Sequence, residues 1–218
     1  MAKWKHLLFV CAFMLVFALV FQSIPPLVGF LVADLGITHA QAGALMSLFG
    51  LPGIFISIPG GILSDLHGAK RVGVAALAIT LVGSLLVALG GSFSLLLTGR
   101  IIAGIGALTI SIAAPQALSR SFQQKDMGKA MGIFNAVMPL GTILTLNTFG
   151  RLADRAGWRA PLLLASFYTL LMLFLFSFKY SDPPRQVAEK AAAGMGESAA
   201  YLGRAGSSVW LLGIIWLL

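Results

Sequence analysis

The chain contains six apolar runs, each close to the length of about 20 residues that a helix needs to cross a bilayer. They extend over Leu7 to Leu31, Ala40 to Leu63, Val72 to Gly90, Phe93 to Leu118, Gly128 to Phe149 and Ala160 to Tyr180. In lipid, each backbone N–H and C=O needs an internal partner, which leaves helices or closed barrels, and these runs are too long for barrel strands. The sequence therefore predicts an all-α polytopic transmembrane helix bundle.

The composition agrees with a lipid environment. Hydrophobic residues make up 58% of the 218 residues and charged residues only 10%, against about 25% charged in ordinary soluble domains. The formal net charge of +8 comes from short basic clusters between the apolar runs, so it indicates membrane topology and not a nucleic-acid partner. We predict the lipid bilayer as the main partner of the chain.

The sequence offers little for enzyme chemistry. Its one cysteine, Cys11, lies inside the first apolar run, and His6, His39 and His67 lie at helix ends or in loops, with no acid or cysteine cluster beside them. The patterns H-E-x-x-H and G-x-S-x-G are absent, as is a pair of embedded carboxylates. We predict no catalytic residues, no metal site and no cofactor.

The distribution of Lys and Arg predicts a cytoplasmic amino terminus. We expect the chain to lie in a plasma (inner) membrane. The side that holds the amino terminus carries Lys3, Lys5, Lys70, Arg71, Arg120, Lys125, Lys129, Lys179, Arg185, Lys190 and Arg204. The opposite side carries only Arg151, Arg155 and Arg159. The outer cluster weakens the rule locally without reversing it.

Three segments follow from this reading. Residues 1–180 form an amino-terminal six-helix domain, and residues 181–207, which include Pro183 and Pro184, read as a cytoplasmic linker. Residues 208–218 are apolar over about half a span, so they predict the truncated start of a seventh helix. We expect the chain as given to be incomplete.

The second and fifth runs repeat one another at an offset of 89 positions. The densest part is G-x-L-x-D-x-x-G at the exit of each run, formed by Gly61, Leu63, Asp65 and Gly68 and again by Gly150, Leu152, Asp154 and Gly157. An odd number of helices separates the copies and reverses the membrane direction of the second. The pattern predicts a 3+3 inverted repeat, with chance similarity of common residues as the alternative.

The turn after the second run resembles the loop motif of the major facilitator superfamily, G-x-x-x-D-[RK]-x-G-[RK]-[RK]. The residues that match are Gly61, Asp65, Gly68, Lys70 and Arg71. Two positions depart, because Leu66 replaces a basic residue and Ala69 moves the basic pair one place along. The resemblance implies half of a twelve-helix fold and a conformational switch at this loop. A helix-ending turn whose charges only fix topology is the alternative.

The fourth run resembles a second motif of the family, R-x-x-x-G-x-G, through Arg100, Gly104 and Gly106. Arg100 is the one formal charge well inside a run, where a bare Arg costs at least about 2.5 kcal/mol, so it should face a cavity or a partner. Two functions fit: direct binding of an anionic substrate, or tuning of proton coupling while the side chain holds helices in place. An Arg that snorkels to the outer interface is the alternative.

The fifth run matches the family's glycine–proline motif in part, through Gly132, Pro139 and Gly141, which indicates helix bending. Trp158 and Arg159 resemble the aromatic and basic boundary that the family has before its sixth helix, and a plain interfacial position explains them equally well.

Polar residues inside the runs are candidates for a substrate cavity, and prolines such as Pro25 and Pro26, near Gln22, commonly accompany irregular helix at such cavities. The candidates are Arg100, Gln22 and Asn135. The alternative is that Gln and Asn only bridge neighbouring helices. No Asp or Glu lies deep in a run, so no proton-carrying carboxylate is visible, and the buried Arg favours an organic or inorganic anion.

The resemblance implies a secondary transporter that moves a small-molecule substrate by alternating access, with a missing carboxyl-terminal half and a coupling proton as further partners. The alternative is a non-transporting membrane fragment or half-size subunit that acts only through a partner. That alternative predicts that the small residues Gly99, Ala103 and Ala107 form an exposed face for another subunit.

Overall fold

The computed structural model describes residues 2–119, 121–122 and 124–180, and the segments 181–207 and 208–218 therefore lie outside the described residues, as does the side chain of Asp65. Its helices are α1 Ala2–Phe21, α2 Val28–Leu35, α3 His39–Leu89, α4 Phe93–Ser119, α5 Gln124–Asn135, α6 Val137–Ala156 and α7 Arg159–Lys179, with a 3-10 turn at Pro25–Leu27. The predicted all-α class is confirmed.

Six parts of the described chain are long and apolar enough to cross a membrane. They are Trp4–Leu35, His39–Ser57, Leu66–Leu89, Phe93–Ser119, Lys125–Ala156 and Arg159–Lys179. These spans confirm the six runs read from the sequence. The first span contains α1 and α2, and the fifth contains α5 and α6, so each of these two spans is broken partway along its length.

One glycine divides α3 into the second and third spans. Gly68 has φ 85° and ψ 154°, a conformation essentially restricted to glycine, inside an otherwise helical run of 51 residues. Residues 39–67 form the first limb of α3 and residues 69–89 the second limb. The limbs run in opposite directions along α4. On the first limb, Leu45 contacts Arg100 and Gly53 contacts Leu108, so residue numbers rise together on both helices. On the second limb, residue numbers fall as those of α4 rise.

The inverted order places Gly83 against Ala103 and Ala76 against Gly106. The helix α4 therefore packs against both limbs, parallel to the first and antiparallel to the second. Gly99, Ala103 and Ala107 are buried in this contact and do not form an exposed face, which corrects the prediction made for a half-size subunit. Small side chains are needed there because the backbones of α3 and α4 approach closely.

At the end of the bundle that holds the amino terminus, α1 packs against α7 through aromatic rings. The ring of Phe176 stacks on Phe13 and Tyr180, with centroid distances of 4.4 and 4.3 Å. Farther along, the hydroxyl of Tyr168 donates to the carbonyl oxygen of Ala12 at 2.9 Å. Nearer the start of α1, the ring of His6 lies 5.4 Å from that of Tyr180, so the contacts with Tyr180 and Phe176 occur in reverse order along α1 and the two helices are antiparallel.

The inverted repeat is also visible in the backbone. Gly157, at the end of α6, has φ 80° and ψ 158°, within a few degrees of the values at its repeat partner Gly68. The two glycines follow spans that cross the membrane in opposite directions. Together with the six spans, this confirms the 3+3 inverted repeat predicted from the paired sequence pattern.

Candidate functional site

The first span breaks where prolines interrupt it. The helix α1 ends at Phe21, four residues before Pro25, and a proline has no N–H to donate to the carbonyl four residues earlier. Pro26 has the same relationship to Gln22. The break therefore leaves backbone carbonyls without helical partners inside the membrane, where each must find another donor.

Arg100 of α4 donates to two backbone carbonyls at this break. Its Nη1 donates to the carbonyl oxygen of Val20 at 2.8 Å and to Oγ of Ser23 at 3.4 Å, and its Nη2 donates to the carbonyl oxygen of Phe21 at 3.3 Å. Its Nε donates to the carbonyl oxygen of Leu45 on α3 at 2.9 Å. One guanidinium thus joins α1, α3 and α4 at the broken turn.

The structure places Arg100 in the interior, because its side chain is 1% exposed. Its guanidinium carbon lies 4.3 Å from the centroid of the Phe49 ring, which covers one face of the ion. The oxygens that accept from it belong to carbonyls and one hydroxyl, and none belongs to a carboxylate of the described residues. A cavity of about 10 Å³ adjoins it, lined also by Ser23 and Ser84.

The glycines of the fourth-helix motif serve the same packing. A methyl group at Gly104 would overlap the carbonyl oxygen of Phe49, and one at Gly106 would overlap the carbonyl oxygen of Ala76. Arg100 and Gly104 are one turn apart on α4, as Leu45 and Phe49 are on α3. The motif therefore brings α4 close enough to the first limb for the guanidinium to reach its targets.

The fifth span breaks in the same way as the first. The helix α5 ends at Asn135, four residues before Pro139, and α6 begins at Val137. Asn135 and Pro139 are exposed, and so is Gly132, whose surroundings are open. Gly141 is instead buried against the Ala18 methyl of α1.

A side-chain hydrogen bond connects the two broken spans. Nε2 of Gln22, just after α1, donates to Oγ1 of Thr142 on α6 at 3.2 Å, and both residues are half-buried. Asn135 lies seven residues before Thr142, about 10 Å along the helix axis. The structure thus places Gln22 and Asn135 on neighbouring spans without direct contact between them, and it buries Arg100 in the interior.

The loop motif surrounds the turn at Gly68. Gly61 is half-buried, and a Cβ there would lie 3.9 Å from Nε2 of Gln116 on α4. Lys70 is half-buried and Arg71 is exposed on the first turn of the second limb. The glycine geometry that the motif implies is therefore present, and the side chain of Asp65 lies outside the described residues.

A polar cluster at the opposite end of the bundle could not be predicted from the sequence. The indole N–H of Trp158 donates to Oδ2 of Asp34 at 2.7 Å, and Arg159 lies 3.5 Å from the same oxygen. Arg159 also donates to the carbonyl oxygen of Gly90 at 3.4 Å. The boundary residues before α7 thus connect the ends of α2 and α3.

Among the described residues, no group of three His, Cys, Asp or Glu side chains could hold a metal ion. The six spans and their inverted repeat, with the first and fifth spans each broken before a proline, define an integral, multi-pass membrane protein.

The sequence model of the Major Facilitator Superfamily matches residues 8–218 of the chain. The chain belongs to that superfamily. It is 28% identical over 151 residues to the probable sulfoacetate transporter SauU of Cupriavidus necator, covering 69% of this chain and 35% of that protein. It is 26% identical over 164 residues to the hexuronate transporter of Bacillus subtilis, covering 75% of this chain and 39% of that protein.

The same fold occurs in a solved structure. The crystal structure of a D-xylose–proton symporter superposes with a TM-score of 0.69 at 21% identity, covering 96% of this chain and 56% of the symporter chain. The chain therefore spans well under half the length of the two relatives above and somewhat more than half of the symporter.

Proposed function

We propose that this chain forms the amino-terminal six-helix half of a secondary transporter, in which a second half completes the substrate path and alternating access moves a small solute. The coverage of 35% and 39% of the two named relatives supports this reading. In transporters with such repeats, the substrate binds near the bilayer midplane, at discontinuous helices.

The observation that carries the proposal is the pair of broken spans. Gln22 lies in the break of the first span and Asn135 directly before the break of the fifth, and the Gln22–Thr142 hydrogen bond connects these spans. Both side chains are at least partly accessible from outside the bundle. We assign Gln22 and Asn135 as the groups of this half that contact the solute.

Arg100 acts in this proposal through position and charge. Four of its five N–H groups already have acceptors, so it holds the broken turn of α1 and does not contact the solute. Carbonyl and hydroxyl oxygens stabilise its positive charge, and no carboxylate among its partners neutralises it. The field of that charge in a low-dielectric interior favours an organic or inorganic anion in the adjacent path.

Uptake tests the function directly. The gene product that contains residues 1–218, expressed from its own reading frame and reconstituted into liposomes, should take up small carboxylates or sulfonates and should prefer them to uncharged sugars and polyols. Arg100→Gln should reduce that preference, and Arg155→Gln, an exposed residue at the far end of α6, should leave it unchanged. Equal uptake of charged and neutral solutes by the wild type would contradict the anion preference.

The second candidate is a half-size subunit that acts only through a separate partner. Sequencing the transcript and measuring the mass of the membrane-extracted product separates the two. A product of about twice this length favours the single-chain carrier, while a product ending at Leu218 that transports only when co-expressed with another membrane protein favours the subunit.

The proposal places the amino terminus in the cytoplasm and the chain in the plasma (inner) membrane. Lys5, Lys70 and Arg71 lie on the side of the amino terminus, as do Lys125 and Lys179, which supports this orientation. A single cysteine introduced at Arg155 should react with an impermeant thiol reagent added to intact cells, in a Cys11→Ala background. Proton coupling is tested by loss of uptake when an ionophore collapses the proton gradient.

A further inference from the structure

A long apolar groove runs along α3, away from the broken spans. Its volume is about 430 Å³, and the two limbs of α3 form its walls, with Ile105 and Thr109 of α4 on its floor. The rest of its lining is apolar except at one end, where His67 and Arg71 lie.

The dimensions of the groove fit one acyl chain of one leaflet. Along the first limb the lining extends from Phe55 to His67, which is about 18 Å at 1.5 Å per helical residue. Half of the hydrocarbon core of a bilayer is about 15 Å thick. The groove therefore begins at the membrane surface that holds His67 and Arg71 and ends near the middle of the bilayer.

A basic side chain lies at the mouth of the groove. Arg71 is exposed at the surface on the amino-terminal side, and its side chain forms no hydrogen bond or ion pair with the described residues. Basic pockets between transmembrane helices bind anionic lipid headgroups, whereas a groove lined by apolar side chains alone would take any lipid. An anionic headgroup at the mouth would place its acyl chain beside Leu63, Ala75 and Phe55.

We propose that this groove is a binding site for an anionic phospholipid of the leaflet on the amino-terminal side, with an acyl chain between the limbs of α3 and the phosphate at Arg71. The lipid fills a gap beside the turn at Gly68 and so stabilises the two limbs in their present separation. The site is separate from the solute path, because its lining shares no residue with the Arg100 cavity or with the Gln22–Thr142 contact.

Lipid retention measures the binding. The detergent-purified gene product that contains this chain is incubated with phosphatidylglycerol or with phosphatidylcholine of the same chain length, and bound lipid is counted by native mass spectrometry. Wild type should retain phosphatidylglycerol preferentially. Arg71→Ala should lower its retention about fivefold, which corresponds to the contribution of one basic residue near an anionic headgroup.

Two further variants test the geometry. Ala75→Phe fills the groove from an exposed position and should reduce retention of both lipids. Lys129→Ala removes an exposed charge on α5 at the same membrane side, outside the groove, and should leave retention unchanged. Equal retention of the two lipids, or equal losses in the Arg71 and Lys129 variants, would overturn the proposal.

A photo-crosslinking residue identifies the occupant. Phe55, 71% exposed, is replaced by p-benzoylphenylalanine, and the protein is irradiated in its native membrane. A lipid adduct on the peptide that contains residue 55 supports the proposal. An adduct to another polypeptide segment would show that protein covers the groove, and would overturn it.

Discussion

Arg100 and Phe49 meet twice: the guanidinium carbon lies 4.3 Å from the centroid of the Phe49 ring, and the next turn of α4 brings Gly104 against the carbonyl oxygen of the same residue. Side chain and backbone of one phenylalanine thus contact both defining positions of the fourth-helix motif. The charge, the ring and the close approach of the helices form one unit, so a change in any of them should disturb the others.

The planar fork of Arg100 is required in addition to its charge. In Arg100→Lys, a single ammonium cannot reach the carbonyls of Val20, Phe21 and Leu45 together. We expect a loss of about 3 kcal/mol of stability, because hydrogen bonds to charged groups are worth roughly 1.5–3 kcal/mol each. The unfolding temperature in detergent measures this loss. Arg155→Lys, on the exposed end of α6, is the matched control, and an equal shift in both variants would argue against the fork.

Gly104 should tolerate no side chain. A methyl group there overlaps the Phe49 carbonyl, and we expect Gly104→Ala to cost about 1–3 kcal/mol, the usual range for overpacking. Gly132→Ala is the control, because its surroundings are open and alanine favours a helix by up to about 1 kcal/mol. Thermal unfolding of the two purified variants should move in opposite directions. A similar unfolding temperature for both would disprove the close contact.

The two repeat glycines should respond alike. Gly68 and Gly157 both adopt a backbone conformation that costs other residues about 1–3 kcal/mol. Gly68→Asn and Gly157→Asn should therefore lower the unfolding temperature by similar amounts. Gly36, with φ 63° and ψ 21°, lies in the left-handed helical region that Asn tolerates, so Gly36→Asn should be nearly neutral. Equal falls in the unfolding temperature at all three positions would contradict the predicted difference between Gly36 and the two repeat glycines.

At the far end of the bundle, the indole of Trp158 should matter more than the ion pair beside it. Trp158 is buried and donates to Asp34 at 2.7 Å, so Trp158→Phe should cost about 1.5–3 kcal/mol, the range for a hydrogen bond to a charged group. The side chains of Arg159 and Asp34 are 44% and 52% exposed, and such pairs contribute about 0–1 kcal/mol. Arg159→Gln should therefore destabilise less. Chemical denaturation of both variants measures the two losses of stability, and a larger loss in Arg159→Gln than in Trp158→Phe would contradict this prediction.

The solute assignment predicts a difference between two asparagines of the same span. Asn135→Ala should raise the KM for uptake several-fold with little change in folded yield, because Asn135 is exposed at the break. Asn147 is also exposed, but its Nδ2 donates to the Ile143 carbonyl of its own helix at 2.8 Å. Asn147→Ala should leave the KM unchanged. If the two substitutions have the same effect on the KM, the break is not where the solute binds.

Much of the fold could be predicted because its signals are local in sequence. Span length follows from apolar runs, and the turn at Gly68 follows from a glycine beside a short polar segment. The breaks were indicated by prolines, since Pro25 and Pro139 act on carbonyls only four residues away. The repeat was visible because Gly68 and Gly157 carry the same conformational requirement.

The partners of these features could not be predicted in the same way. The carbonyl of Val20 and the guanidinium of Arg100 are 80 residues apart, and a backbone acceptor leaves no signature in the sequence. The contact between Asp34 and Trp158 spans 124 residues and joins two helix ends that pack together only in the folded bundle. The groove between the limbs of α3 depends on helix separation, which no single residue determines.

The shared conformation of Gly68 and Gly157 also bears on how such a protein arises. A three-helix unit whose turn between its second and third helices has the same conformation on either side of a bilayer has no intrinsic orientation in the membrane. Its direction of insertion is then decided by the few Lys and Arg residues in the flanking loops. A duplicated copy of this unit could be turned over by changing a handful of surface charges, with its interior packing left as it was.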